Sequence, residues 1–268
     1  MTACPTEFLR FAERLADAAR AVVLNHFRQP FDIESKADES PVTVADRGAE
    51  AAMRKAIETA YPDHGVVGEE YGPDKPDADY VWILDPIDGT KRFVTGNPQF
   101  GTLIGLLHRG KPILGVIAMP AMGERWIGAA GHPTLHKDSR GERQARVRTC
   151  PELSEAALHP TSPLMVKGQD SAAFERVRNR GAIPLYGGDC YSYGLTASGF
   201  NDLVIEAGLG VYDHLPLVAV LEGAGGMITD WNGAPLSLDS DGRVIAAGDP
   251  RCHAAARALL NDQADSIE

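Results

Sequence analysis

The chain has 268 residues, 44% hydrophobic and 24% charged, which suits one large α/β domain or two intimate halves and makes disorder an unnatural reading. Its 37 acids outnumber its 26 bases, for a formal net charge of −11. That balance argues against a nucleic-acid partner, whose phosphate backbone calls for basic surface.

The first helix is predicted from about Thr6 to Phe27. There Phe8, Phe11, Leu15, Ala18, Val22 and Phe27 recur at helical period, and Pro30 closes the run. This charged, amphipathic start does not read as a signal peptide. No run of about eighteen apolar residues follows, so no membrane span is expected. IESKADESP reads as a loop or short hairpin. A second helix is predicted from Thr43, placed to cap it, to Ala60.

Short β-type runs come next. GVVGEE is one, and YVWILD is another that ends on Asp85. FGTLIGLL and ILGVIAM read as a hairpin, with ERWIGAA as a third antiparallel strand. The stretch from His132 to Val147 is polar and turn-rich. It holds the soft boundary between an N-terminal α+β half, about 1–145, and a C-terminal α/β half, about 146–268, of a single catalytic unit. Beyond it, helices are predicted over Ala172–Arg178, Cys190–Ser198, His214–Glu222 and Pro250–Asn261. Strands are predicted at IPLYGG, LVIEA, GGMITD and VIAAG. Such alternation implies sheets covered by helices.

The four cysteines, Cys4, Cys150, Cys190 and Cys252, are scattered without a C-x-x-C pair or zinc spacing. A reduced, cytoplasmic setting is the natural reading. His132 and His136 lie four apart but flank Pro133, and both read as surface residues. Gly223, Gly225 and Gly226 follow a predicted helix instead of opening one, so they do not form a dinucleotide loop.

The most informative segment is WILDPIDGTKRF. An apolar strand delivers Asp85, Pro86 turns the chain, and Asp88 follows three residues on. Gly89 lets the backbone approach a ligand, and the amides of Gly89 and Thr90 suit an anion at a helix start. One turn thus offers carboxylates for a cation and N–H groups for a phosphate. An ordinary loop also favours Asp at turns. Two further segments shift the balance. VVGEE ends a strand on Glu69 and Glu70, and VYDHLPL puts Asp213 at the start of an apolar helix, where an N-cap is its plainer role. Magnesium fits such an oxygen-only donor set, whereas zinc would call for His and Cys.

These blocks resemble the signature of the inositol-monophosphatase family: GEE, WILDPIDGTKRF and VYDHLPLVAVLEGAGG, in that order, from about Lys36 to Trp231. SPVTVADR, YGGDCYSYGLTASG and VLEGAGGMITDW are similar to the histidinol-phosphate phosphatases of this type. The resemblance implies a layered α-β-α-β-α sandwich, a homodimer, and a small phosphate monoester as substrate. It implies roughly two or three magnesium ions, bound by Glu69, Asp85, Asp88, Asp213 and the carbonyl of Ile87. Asp46 and Thr90 would orient and help deprotonate a water. Gly89 and Thr90 would hold the phosphate, and Asp189 and Glu206 would contact the alcohol. Histidinol phosphate, with its ammonium and imidazole, would make use of two acids. The alternatives are inositol monophosphate, another sugar or nucleotide phosphate, or an inactive metal-binding scaffold. No covalent phospho-enzyme is expected, because Asp85-Pro86-Ile87-Asp88 lacks the D-x-D spacing of aspartyl-phosphate hydrolases.

Overall fold

Helix α1, Thr6–His26, buries Phe8, Phe11, Ala12, Leu15, Ala16, Ala19 and Val23 along one stripe, the i, i+3, i+4 pattern of a helix laid on a core. The computed structural model describes residues 3–29 and 44–262. The IESKADESP stretch, Pro30 and the Thr43 cap lie outside the described residues. Helix α2, Val44–Ala60, follows and packs against α1.

The next elements are β1 (Gly65–Gly68), β2 (Gly72–Asp74), β3 (Tyr80–Asp88), the short helix α3 (Thr90–Val94), β4 (Gly101–His108), β5 (Lys111–Met119), β6 (Glu124–Ala129), β7 (His132–Asp138) and β8 (Gly141–Gln144). They form one sheet in the order β2-β1-β3-β4-β5-β6-β7-β8, antiparallel except for the parallel pair β1/β3. The polar stretch from His132 is therefore mostly a hairpin on this sheet. Its alternation was masked because only one face is covered, with Thr134 and His136 pointing in.

The rest of the chain supplies β9 (Ala157–Leu158), α4 (Gln169–Arg178), β10 (Ile183–Pro184), α5 (Cys190–Ala197), β11 (Leu203–Glu206), α6 (Val211–Gly223), β12 (Met227–Thr229), β13 (Val244–Ala247) and α7 (Pro250–Leu260). The second sheet runs β10-β9-β11-β13-β12.

Alternation along β3 sorts the layers. Trp82 and Leu84 pack with α1 and α2 on one face. Val81 and Ile83 pack on the other with Tyr193 of α5, Leu215 and Leu217 of α6, and Val204 of the second sheet. Leu203, Ile205, Ile245 and Ala247 face outward to α4 and α7. The result is the five-layer sandwich, helices–sheet–helices–sheet–helices, with period-2 strands making both faces of each sheet apolar.

Close approach of α6 to the first sheet depends on a row of glycines. Gly105 pairs with Gly115, and Gly115 with Gly128, across β4, β5 and β6. A side chain at Gly115 would collide with the Pro216 carbonyl, and one at Gly128 with the backbone of Ala219 and Val220. This row lets α6 lie almost on the strands from Pro216 to Val220, which helps bring Asp213, one turn earlier, to the end of β3.

Candidate active site

Three acids arrive from three directions. Asp85 and Asp88 come from β3, and Asp213 from the first turn of α6. Their ligand oxygens lie within 4.8 Å of one another. Residues i and i+3 of a regular strand point to opposite faces. Here β3 does not end at Asp85 but continues to Asp88 through an irregularity: Asp85 pairs with Leu103 and Asp88 with Gly101. The interruption, with Pro86 inside it, re-aims the second carboxylate towards the first. Asp213 is not the N-cap of its helix. The helix begins at Val211, and Asp213 is its third residue, still in the first turn, accepting from the Gly210 amide at 2.6 Å.

Glu69 follows β1, with its amide bonded to the Leu84 carbonyl at 3.1 Å. Its carboxyl is within hydrogen-bonding reach of Asp85, and Asp85 of Asp213. Two carboxyls that close need a shared proton or a cation between them. The electrostatics say the same. Burial pushes Asp85 well above the usual carboxylate range, and Glu69, Asp88, Asp213 and Asp46 push it further. Burial, then Asp189 and Asp213, lift Asp88 to about 7, against the Cys190 amide that donates to it at 2.7 Å. Asp213 reaches about 7 through burial and the Glu69 charge, although the Gly210 amide opposes the shift. Glu69 has an exposed flank, yet desolvation of its carboxyl, then Asp46 and Glu70, also bring it to about 7. Asp46 itself is buried on α2. One buried oxygen, Asp85 Oδ1, has no hydrogen-bond donor. A seat of hard oxygen atoms with a surplus of negative charge and an orphaned acceptor fits a divalent cation.

Gly89 follows with φ 84°, a conformation that favours glycine, and opens α3. Thr90 donates its hydroxyl to the Ile87 carbonyl at 3.1 Å. Glu206 ends β11 of the second sheet. It does not pair with a surface base. It is buried, accepts from the Thr161 amide at 2.7 Å and the Tyr193 hydroxyl at 3.1 Å, and burial lifts it to about 7. Asp189 precedes α5 and turns its carboxylate to Arg92, not to the helix amides.

The chain matches the Inositol monophosphatase family over residues 5–266. It belongs to that family. A chloroplastic bifunctional phosphatase of Arabidopsis thaliana is 50% identical over 260 residues, 92% of this chain and 74% of that protein. A histidinol-phosphatase of Chlorobaculum parvum is 32% identical, covering 90% of this chain and 92% of its own. Among solved structures, an inositol monophosphatase from Zymomonas mobilis is 44% identical, with a TM-score of 0.87 over 95% of this chain and 98% of that one. Like its relatives, this member of the inositol monophosphatase family is a phosphatase, a phosphoric monoester hydrolase.

Supporting residues of this family member escape a reading along the chain. Glu50, buried on α2, accepts from the Glu70 amide at 2.8 Å and the Tyr71 amide at 3.3 Å, and pairs with Arg54 at 2.7 Å. It anchors the turn that carries Glu69. The i, i+4 spacing of Glu50 and Arg54 was visible, but it reads as an ordinary surface pair. Arg92 gave no signal at all, because its partners lie far along the chain.

A second group of donors, Glu124, His136 and Asp138, also gathers within 4.8 Å. His136 is buried, contrary to the surface expectation, because its ring stacks on Trp126 with centroids 4.3 Å apart. Arg140 and Arg143 already pair with Asp138 at 2.7 and 2.9 Å. Arg143 also donates to His136 Nδ1 at 2.8 Å. A guanidinium only donates, so Nδ1 accepts and Nε2 carries the proton. That imidazole has no lone pair left for a metal. The group is an ion network. No described helix is long and apolar enough to cross a membrane.

Proposed function

We propose that this phosphatase hydrolyses L-histidinol phosphate to L-histidinol and phosphate with magnesium held by Glu69, Asp85, Asp88 and Asp213. The observation that carries the reading is the convergence of Asp85, Asp88 and Asp213, with Glu69 beside Asp85, next to the Gly89 turn, so that a cation seat and anion-binding amides share one edge. The Ile87 carbonyl is a further ligand in this reading. It keeps a lone pair after accepting from Thr90. When bound, magnesium neutralises the phosphate dianion and makes a water more acidic.

The chain's own residues then have distinct tasks. Thr90 donates its proton to the Ile87 carbonyl, which leaves its hydroxyl oxygen to accept from the attacking water and orient it. Asp46, close enough to Glu69 and Asp85 to raise both, takes the water's proton. The amides of Gly89 and Thr90 hold the phosphate oxygens. Glu206 and Asp189 wall the leaving-group side.

The histidinol-phosphatase relatives support the substrate, and so does Glu206, a buried acid suited to an ammonium. Inositol monophosphate is the second reading, favoured by the 44% identical Zymomonas mobilis structure. Phosphate release from histidinol phosphate, inositol 1-phosphate and an adenosine bisphosphate, with magnesium and with chelator, decides between them. Chelator-sensitive preference for histidinol phosphate is expected. Equal or greater release from another ester would discard the substrate and keep the chemistry.

A further inference from the structure

The Arg92 side chain joins the two walls of the site. It leaves α3 just beyond the Gly89 turn, and its Nε donates to Asp189 Oδ2 and its Nη2 to the Gly187 carbonyl. Asp189 adopts φ 45° and ψ −141°, a strained backbone for any residue but glycine. Such a conformation persists only where its surroundings hold it, and Arg92 grips both ends of the Gly187–Asp189 segment. Gly187, with φ 88°, leaves the room that Arg92 fills.

The position of the Asp189 carboxyl matters more than the strain. It overhangs the Gly89 turn: a Cβ built on Gly89 would lie 3.5 Å from Asp189 Cγ and 3.6 Å from Asp189 Oδ2. The next residue's amide, Cys190 N, bonds Asp88 at 2.7 Å. A carboxylate thus stands over the place where a phosphate dianion has to settle. Unlike Asp85, Asp88 and Asp213, it is not part of the cation seat. Uncompensated, it repels the substrate, and the effect is large at this separation in a partly buried cleft. The side chains of Arg92 and Asp189 are only 20% and 14% exposed, so solvent screens the pair weakly.

We propose that Arg92 is a positioning residue for phosphate: it cancels the Asp189 charge and pins that carboxylate over the Gly89 turn, so that a phosphate dianion enters without repulsion. This rests on the phosphatase reading of the Gly89 turn, though not on the identity of the alcohol.

Inorganic phosphate is the probe, as a competitive inhibitor of the magnesium-loaded enzyme, alongside KM and kcat for its best ester. Arg92→Ala is expected to weaken phosphate inhibition and raise KM by at least about tenfold. Asp189→Asn alone leaves the Arg92 charge uncancelled and is expected to strengthen phosphate inhibition, by up to about tenfold. The double variant, Arg92→Ala with Asp189→Asn, is expected to regain most of the lost phosphate affinity. A merely structural role for Arg92 predicts no such rescue. Arg92→Gln, whose amide nitrogen falls where Arg92 Nε stands and can still donate to Asp189 without the charge, repeats the test if Arg92→Ala does not fold. A double variant as impaired as the single one, or unchanged phosphate inhibition in both Arg92→Ala and Arg92→Gln, overturns the proposal alone. If the wild-type protein neither hydrolyses any ester nor binds phosphate, the phosphatase reading of the turn falls and takes the proposal with it.

Discussion

In the first sheet β4 is an eight-residue strand buried almost to its end, whereas in the second β9 and β10 are two residues each and leave Ile183, Leu185 and Tyr186 exposed beside them. The first sheet delivers Glu69, Asp85 and Asp88, which repel one another. The second delivers Glu206 and, through the loop before α5, Asp189. β3, nine residues long, paired on both edges and covered on both faces, can hold the like charges of Asp85 and Asp88 together because many apolar contacts resist their separation. Short strands suffice for a wall whose acids are already satisfied by Thr161, Tyr193 and Arg92. Charge repulsion is thus stored where the packing is strongest.

The sharpest way to break this contrast is to neutralise one carboxylate of the cation seat. Asp88→Asn should lower kcat by about a thousandfold, equivalent to roughly 4 kcal/mol in the barrier. The same variant should melt higher than the wild type in chelator, since it relieves repulsion. A variant that kept full turnover would remove Asp88 from the metal site. Next in size is the support of the first sheet. Ile83→Ala should destabilise by about 3–4 kcal/mol, while Ile183→Ala, exposed on the second sheet, should stay within about 0.5 kcal/mol, both read by denaturant unfolding. Gly115→Ala sharpens the point from the opposite side. It removes nothing, yet the Pro216 carbonyl occupies the space of its Cβ, so a loss of about 2–3 kcal/mol is expected.

Smaller effects come from titration. Unfolded carboxylates ionise near pH 4, whereas Glu69, Asp88, Asp213 and Glu206 hold their protons to about 7 in the fold. Their folded values are raised, so the stability they contribute is complete below about pH 4 and is lost as pH rises through about 7. The melting temperature of the metal-free protein should therefore fall across that window, and magnesium should flatten the fall. Glu206→Gln should remove the second sheet's share of it, on the order of 2–3 kcal/mol at pH 8 and nothing below pH 4. It should also raise KM for a cationic ester by roughly tenfold while sparing a neutral one. A melting curve independent of pH in chelator would contradict the raised values.

Much of the scaffold was legible along the chain. The stripe Phe8–Phe11–Leu15 and the alternation in YVWILD are local patterns, and local backbone geometry turns them directly into α1 and β3. The strand–Asp-Pro-x-Asp-Gly-Thr sequence likewise marks the turn whose acids the fold brings to Asp213, since proline and glycine act where they stand. Other features were out of reach. YVWILD predicts an end at Asp85, but β3 runs to Asp88, because its irregularity is fixed by pairing with β4, not by Pro86 alone. The burial of His136 depends on Trp126 in a neighbouring strand.

The amino-acid sequence by itself determined the oxygen-donor chemistry, the run of helices and strands, and the glycines at Gly89 and across β4–β6. Only the tertiary structure decided that Asp213 meets Asp85, that Glu50 anchors the Glu69 turn, and that Arg92 spends its charge on Asp189. Each of these contacts joins segments distant in the chain, and each forms only because burying apolar surface between the sandwich layers outweighs the expense of closing the loops and crowding the charges.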